Sequence, residues 1–408
     1  MRVIFLGTPE FAVPTLQQLI DFPHTDVVAV VTQPDRPSGR GNKMHAPPTK
    51  VLAEKHNIKV FQPAKLSKSP EIVQAMRDLQ PDLIVMVAFG QILKKEVLNM
   101  PPKGVINVHA SLLPKLRGAA PLNWSIINGD TIAGVTTMFT EAGVDTGPML
   151  LKKHTNIDNE MNAEQLARIL AVDGAYLLIE TIQKLLDGTL VAERQDDSQA
   201  TLAPMLDKEL GRIKWDNSAK SIHDLVRGIV PWPGAFTIFN GAPLKIWKTK
   251  VGAKPEQALA PGSIQKAGDK IYVVCGDGSE TLELLEVQPP SKAKMHARDW
   301  ANGAHIKTGD VFTTEPGADQ TAKAARVQSA KTAGDQSAMT AGDRSAMTAG
   351  GQSAMTAGGQ SAMTAGGQSA MTADDRSATT AGDRSAGTLS TMSASGAETF
   401  EDPGDKQR

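Results

Sequence analysis

The chain has 408 residues with 43 basic against 44 acidic side chains, so no global charge marks it for nucleic acid or for a membrane surface. A single cysteine, Cys275, excludes an internal disulfide framework and fits a reducing compartment. The apolar run at the amino terminus stops at Gly7 and Pro9, too short for a signal-peptide core, and no stretch nears the roughly 20 apolar residues that span a bilayer, so a soluble cytoplasmic protein is expected.

From the amino terminus, short β-branched runs alternate with helical periodicity. Strands are predicted over 2–7, 27–32, 83–88 and 105–109, and helices over 9–21, 49–56 and 70–79, the last closed by Pro81. Two further strands, 131–140 and 149–154, precede a long helix over 163–186 that Asp187 and Gly188 end. Strand–helix–strand alternation predicts an α/β domain over 1–188, a parallel sheet with helices on both faces. Residues 189–207 are polar, contain Pro204 and suit a linker. Over 208–312 a helix at 217–227 is followed by Pro231-Trp232-Pro233-Gly234. Short strands come next, at 236–239, 244–250, 270–275 and 281–287, and this punctuation suggests a small barrel. From 313 to 408 the chain is mostly Ala, Ser, Thr, Gly, Gln and Asp, with an eight-residue unit recurring from Gln336 to Gly367. One Met per unit cannot bury enough surface to offset its ordering entropy, so this low-complexity octapeptide-repeat tail is expected to be disordered.

Open α/β sheets receive ligands beyond the carboxyl ends of their strands, which directs attention to the residues after Ala88 and around His109. Asn107 and His109 stand two apart at a strand end and leave the same face. An amide and an imidazole side by side suit one reacting carbonyl: the amide donates to its oxygen, and the imidazole donates or accepts a proton. Asp145 sits in a loop bracketed by Gly143 and Gly147, where it would orient the His109 ring. Each of these has a plainer reading alone: a hydrogen-bonded structural histidine, a turn-forming aspartate. No nucleophile-elbow serine occurs, and the scattered histidines lack metal-ligand spacing, so acyl transfer without a covalent nucleophile or a metal is expected.

Several stretches carry a resemblance. FLGTPEFAVPTLQQL, the QPDRPSGRG loop, PDLIVMVAFGQILKKEVLNMP, GVINVHASLLPKLRGAAPLNWSIINGD, AGVTTMFTEAGVDTGPML and PWPGAFT occur in order up to about residue 312. With them the chain resembles the methionyl-tRNA formyltransferases, a branch of the folate-dependent formyltransferase family. The resemblance implies a Rossmann-like domain followed by a small OB-like β-barrel domain. It implies formyl transfer from 10-formyltetrahydrofolate to the amine of methionyl-initiator tRNA, with Asn107, His109 and Asp145 catalytic. Ser111, Leu112, Leu113 and Pro114, with Val87, Phe89 and Gly90, would then line the folate site. The chain departs from the pattern at Phe89, where many relatives have Tyr, and at Lys115, where Arg is commoner.

The resemblance also implies recognition of the acceptor end of tRNA, and a monomer is expected. Arg36, Arg40 and Lys43 lie in a basic segment, 33–50, that leaves a strand end beside the expected site. A solvated surface loop would read the same way. The 208–312 region counts 15 Lys or Arg against 11 Asp or Glu, and Lys245, Lys248 and Lys250 flank Trp247 on one strand. That face suits phosphates, though lysines also protect sheet edges. Three other functions remain open, one of them the repeat tail acting as an interaction arm. A formyltransferase for a nucleotide or amino-sugar amine shares the Asn/His/Asp core. A non-catalytic dinucleotide-binding protein would need a glycine-rich first turn, and Gly7-Thr8-Pro9-Glu10 does not supply one.

Overall fold

A computed structural model describes residues 1–38 and 43–313; the repeat tail and Arg40 lie outside the described residues. The amino-terminal half runs β1 (Arg2–Gly7), α1 (Val13–Asp21), β2 (Asp26–Val31), the short paired strands β3 (Arg36–Ser38) and β4 (Lys43–His45), α2 (Pro48–Lys55), β5 (Lys59–Phe61), α3 (Pro70–Asp78), β6 (Leu83–Val87), α4 (Lys95–Leu98), β7 (Val105–His109), β8 (Arg117–Gly118), α5 (Pro121–Ile127), β9 (Ile132–Phe139), β10 (Met149–Asn156), α6 (Ala163–Leu186) and β11 (Leu202–Ala203).

Seven of these strands make one sheet in the order β10-β9-β7-β6-β1-β2-β5. The stretch from β5 to β7 is parallel, as the alternation of elements predicts. At the other edge the pattern changes: β9 runs antiparallel to β7, and β10 antiparallel to β9. A loop over residues 140–148 joins those two strands where a parallel pair would need a crossover helix. Alternate residues of β1 enter opposite cores, which is why it reads as an unbroken apolar run. Val3 and Phe5 pack with Leu16 and Leu19 of α1 and Leu170 and Leu178 of α6. Ile4 and Leu6 pack with Val73 and Met76 of α3. The long α6 is started by Asn162 and Gln165, whose side chains each accept from the other's backbone N–H at 2.9 Å.

The carboxy-terminal half contains α7 (Ala219–Gly228), β12 (Ala235–Phe239), β13 (Ala242–Val251), β14 (Ile264–Ala267), β15 (Lys270–Cys275), β16 (Glu280–Gln288), β17 (Met295–His296) and α8 (Ala297–Gly303). Its strands pair antiparallel in the order β12-β13-β16-β15-β14, with β17 beside β16. The two outer strands are then joined through one segment. Thr313 pairs with Ile238 of β12, and Val311 pairs with Ser263 just before β14. The sheet therefore closes, as the barrel expectation requires. Phe312, between those pairings, stacks on Trp215 and Trp300 inside. Among the described residues no helix is long and apolar enough to cross a membrane.

Candidate active site

β7 delivers Asn107 and His109 to the carboxyl end of the parallel run, with Val108 sent into the opposite core. Both polar side chains are enclosed, at 6% and 5% exposure. Asp145 reaches them from a separate loop. Its backbone takes φ +52°, the left-handed region, and the following Gly147 lies against the Phe139 carbonyl with no room for a Cβ. The turn puts Asp145 Oδ2 3.5 Å from His109 Nδ1 and Oδ1 3.4 Å from Asn107 Nδ2. The Gly118 N–H donates to Oδ2 at 2.9 Å and holds the carboxylate there.

His109 Nε2 stands 3.0 Å from the Leu116 carbonyl. That oxygen and the Asp145 carboxylate are both acceptors, so each ring nitrogen of His109 faces one. Asn107 spends one amide hydrogen on Asp145 and keeps the second for another acceptor. The three groups converge on one rim of the sheet although Asp145 is 38 residues from Asn107 along the chain. Beneath them, the buried Thr136 hydroxyl donates to the Ser111 carbonyl at 2.7 Å and accepts from the Leu113 N–H at 3.1 Å, fixing the loop after β7.

Residues 1–182 match the model of a family described as formyl transferase, and residues 205–305 match that of formyl transferase, C-terminal domain. A methionyl-tRNA formyltransferase of Acetivibrio thermocellus is 49% identical over 313 residues, 76% of this chain and 99% of that protein. One of Geotalea uraniireducens is 52% identical over 313 residues, 76% of this chain and 98% of that protein. The chain belongs to the methionyl-tRNA formyltransferase family. Among solved structures, an N-formyltransferase from Helicobacter canadensis, in complex with folinic acid and dTDP-3-aminofucose, is alike with a TM-score of 0.54 at 18% identity. The likeness covers 69% of this chain and 98% of that one, and it is one of fold.

In this member of the methionyl-tRNA formyltransferase family the other expected positions divide. Ser111 and Leu113 are buried. Ser111 donates to the Lys115 carbonyl at 2.7 Å, and Leu113 packs on Met138 and Met149, while Leu112 and Pro114 are half-exposed. Val87 and Phe89 are taken up by the two cores, while Ala88 and Gly90 are exposed. The 33–50 segment, expected to be irregular, instead carries the paired strands β3 and β4. Arg36 is exposed and donates to Gln33 at 3.1 Å. Lys43 contributes strand backbone, and its side chain, like Arg40, lies outside the described residues. Lys50 is committed to Asp35 at 2.8 Å; the Gln62 amide and then Lys50 hold that carboxyl below its ordinary range.

Lys245, Lys248 and Lys250 are all exposed, which strict alternation forbids for odd and even positions of one strand. Register shifts between Ile246 and Thr249 form a bulge that turns Lys248 and Lys250 outward alongside Lys245. Trp247 within the bulge carries Lys294 Nζ 3.6 Å above its ring. Lys245 also lines a cavity of about 550 Å³ with Trp232, Phe236 and Pro289.

The polar segment 189–207 does more than join the halves. Glu193 exchanges two backbone hydrogen bonds with Met149, and β11 pairs with β8. Thr201 Oγ1 accepts from the Leu116 N–H at 2.8 Å. Gln195, buried in this segment, donates to the carbonyls of Asp145 and Gly147 at 2.8 Å each. Neither Gln195 nor Thr136 is singled out by the sequence. The 189–207 stretch buries Ala203 and Leu206 as well as Gln195.

Proposed function

We propose that this chain transfers the formyl group of 10-formyltetrahydrofolate to the free amine of methionyl-initiator tRNA, with Asn107, His109 and Asp145 as its catalytic groups. The observation that carries the reading is the convergence of an amide, an imidazole and a carboxylate at the carboxyl end of β7. The near-full-length relatives named methionyl-tRNA formyltransferase support the acceptor. They favour it over the amine of a nucleotide or an amino sugar.

The amine nitrogen attacks the formyl carbon, a new C–N bond forms, and the carbonyl oxygen becomes negative. The free Asn107 amide hydrogen and the His109 ring donate to that oxygen as its charge develops; one such donor is typically worth about 10²–10³ in rate. Asp145 holds the imidazole ring by Nδ1 and so fixes its orientation. Collapse breaks the bond to the carrier nitrogen, which departs with the proton lost by the attacking amine. His109 relays it: Nε2, turned from the Leu116 carbonyl, gives its proton to the carrier nitrogen and takes up the one that the amine releases. The 111–114 loop, held by Thr136, and the Val87–Gly90 loop form the folate side. Arg36, Arg40 and Lys43 contact the acceptor end, and Lys245 and Lys248 contact backbone phosphates. Residues 1–188 are then the catalytic domain, 208–312 the tRNA-binding domain, and 189–207 the connection.

The test is formylation of methionyl-tRNA with and without 10-formyltetrahydrofolate, with a nucleotide-sugar amine as competing acceptor. His109→Ala and Asn107→Ala should each lower kcat by about 10²–10³ and leave KM for the folate nearly unchanged. Near-normal single-turnover rates in both variants would reject the assignment.

A further inference from the structure

The Asp145 turn is held from behind by a side chain of the inter-domain segment. Gln195 is only 6% exposed, and both hydrogens of its amide are used: Nε2 donates to the carbonyls of Asp145 and Gly147, each at 2.8 Å. Its Oε1 accepts from Nε and Nη2 of Arg117 at 3.0 and 2.8 Å. Arg117 is itself 8% exposed, and Nη2 also reaches Asp197 at 2.8 Å. A guanidinium has no acceptor, so the amide cannot flip; the flipped form would point its NH₂ at Arg117 and its oxygen at two carbonyls. One clamped carbonyl is that of Asp145 itself, whose backbone is left-handed, a conformation that persists only where its surroundings enforce it, and the other lies two residues on at Gly147. Arg117 also precedes Gly118, whose N–H holds the Asp145 carboxylate from the other side.

We propose that Gln195, oriented by Arg117, is a positioning residue that fixes the Asp145 turn and so places the carboxylate against His109. It touches no reacting atom and acts through Asp145 alone. The inference rests on Asp145 serving His109, as argued under the proposed function. The segment between the two family-matched regions thus supplies part of the catalytic geometry. A displacement near 1 Å at such a site costs about 10²-fold in rate.

Gln195→Glu is nearly isosteric. It keeps an oxygen for Arg117 and replaces the doubly donating nitrogen with an acceptor facing two carbonyls. The full-length chain is assayed for formyl transfer to methionyl-tRNA as wild type, Gln195→Glu, Asp145→Asn and the double variant. Gln195→Glu should lower kcat by about 10²-fold with KM for 10-formyltetrahydrofolate little changed. Added to Asp145→Asn, it should cause almost no further loss, because residues acting as a unit are not additive. Full additivity in the double variant, or wild-type kcat in Gln195→Glu, would overturn the positioning role while leaving the function intact. Absence of transfer by the wild-type chain would overturn both. Should Gln195→Glu lack a cooperative melting transition, Arg117→Lys replaces it. That variant keeps the charge near Asp197 and loses the fork on Oε1, and the same non-additivity with Asp145→Asn is expected of it.

Discussion

Cys275 closes β15 with its thiol fully enclosed and donating to the Val273 carbonyl at 3.3 Å. Burial, and secondarily the charge of Glu280, push that thiol from 9.0 up to about 12. The thiolate is the reactive species. Iodoacetamide near neutral pH should therefore leave Cys275 unmodified in the folded chain and label it once the chain unfolds, as read by intact mass. The folded thiol keeps its proton to higher pH than the unfolded one. Its contribution to stability is thus whole below about 9 and is lost as pH climbs towards about 12. Rapid labelling of the native chain would contradict the burial. The same contrast between local and distant surroundings governs what the sequence discloses about single residues. Asn107 and His109 are legible because two polar residues at a strand end share a face by period alone, and Asp145 because glycines bracket it. Thr136 and Gln195 are not, because their partners stand 25 and 78 residues away and nothing local distinguishes either side chain.

Elements long enough to show a period emerge from the sequence close to their true limits. α6 is one example, predicted and found over 163–186, because a 24-residue helix repeats its buried positions many times over. Three-residue β5 and two-residue β11 have no period to show; they exist because a neighbouring strand offers free hydrogen-bonding groups. The bulge in β13 is invisible for a related reason: it is a property of register against β16. Barrel closure depends on the least patterned piece of all, residues 311–313. Phe312 is enclosed at the centre of an aromatic group, 5.5 Å from Trp215 and 5.7 Å from Phe239. Phe312→Ala should remove about 3–5 kcal/mol of stability, measured by urea denaturation, through the cavity it leaves between the two outer strands. A cost below about 1 kcal/mol would mean that the barrel closes without it.

At the scale of the molecule, α7 is the point where the two halves meet. Asn123 of α5 donates to the Gly228 carbonyl at 2.8 Å, and His223 Nε2 lies 3.0 Å from the Asn159 carbonyl. Arg227 donates to the Met161 carbonyl at 2.8 Å, and its charge is met by Asp224, also at 2.8 Å, with both side chains nearly fully buried. Removing one member of such a pair leaves an uncompensated charge, so Asp224→Ala should cost about 3–5 kcal/mol of chemical stability. A loss no larger than the roughly 0–1 kcal/mol of a surface pair would show that the junction is wet. The general architecture, a doubly covered sheet followed by a small barrel, was readable from the order of elements. The junction was not, since no sequence pattern announces which helix of one half a loop of the other will meet.

The course of residues 193–203 has a consequence for anyone who would splice this enzyme with a cousin. By composition, that stretch looks like the natural place to cut. Yet it grips both loops of the candidate site, through Gln195 on the one that carries Asp145 and Thr201 on the one that carries Leu116. A hybrid joined inside it would pair one parent's grip with the other parent's loops. Crossovers placed beyond Pro204 leave those inherited contacts together, and the chimaeras that survive should cluster there.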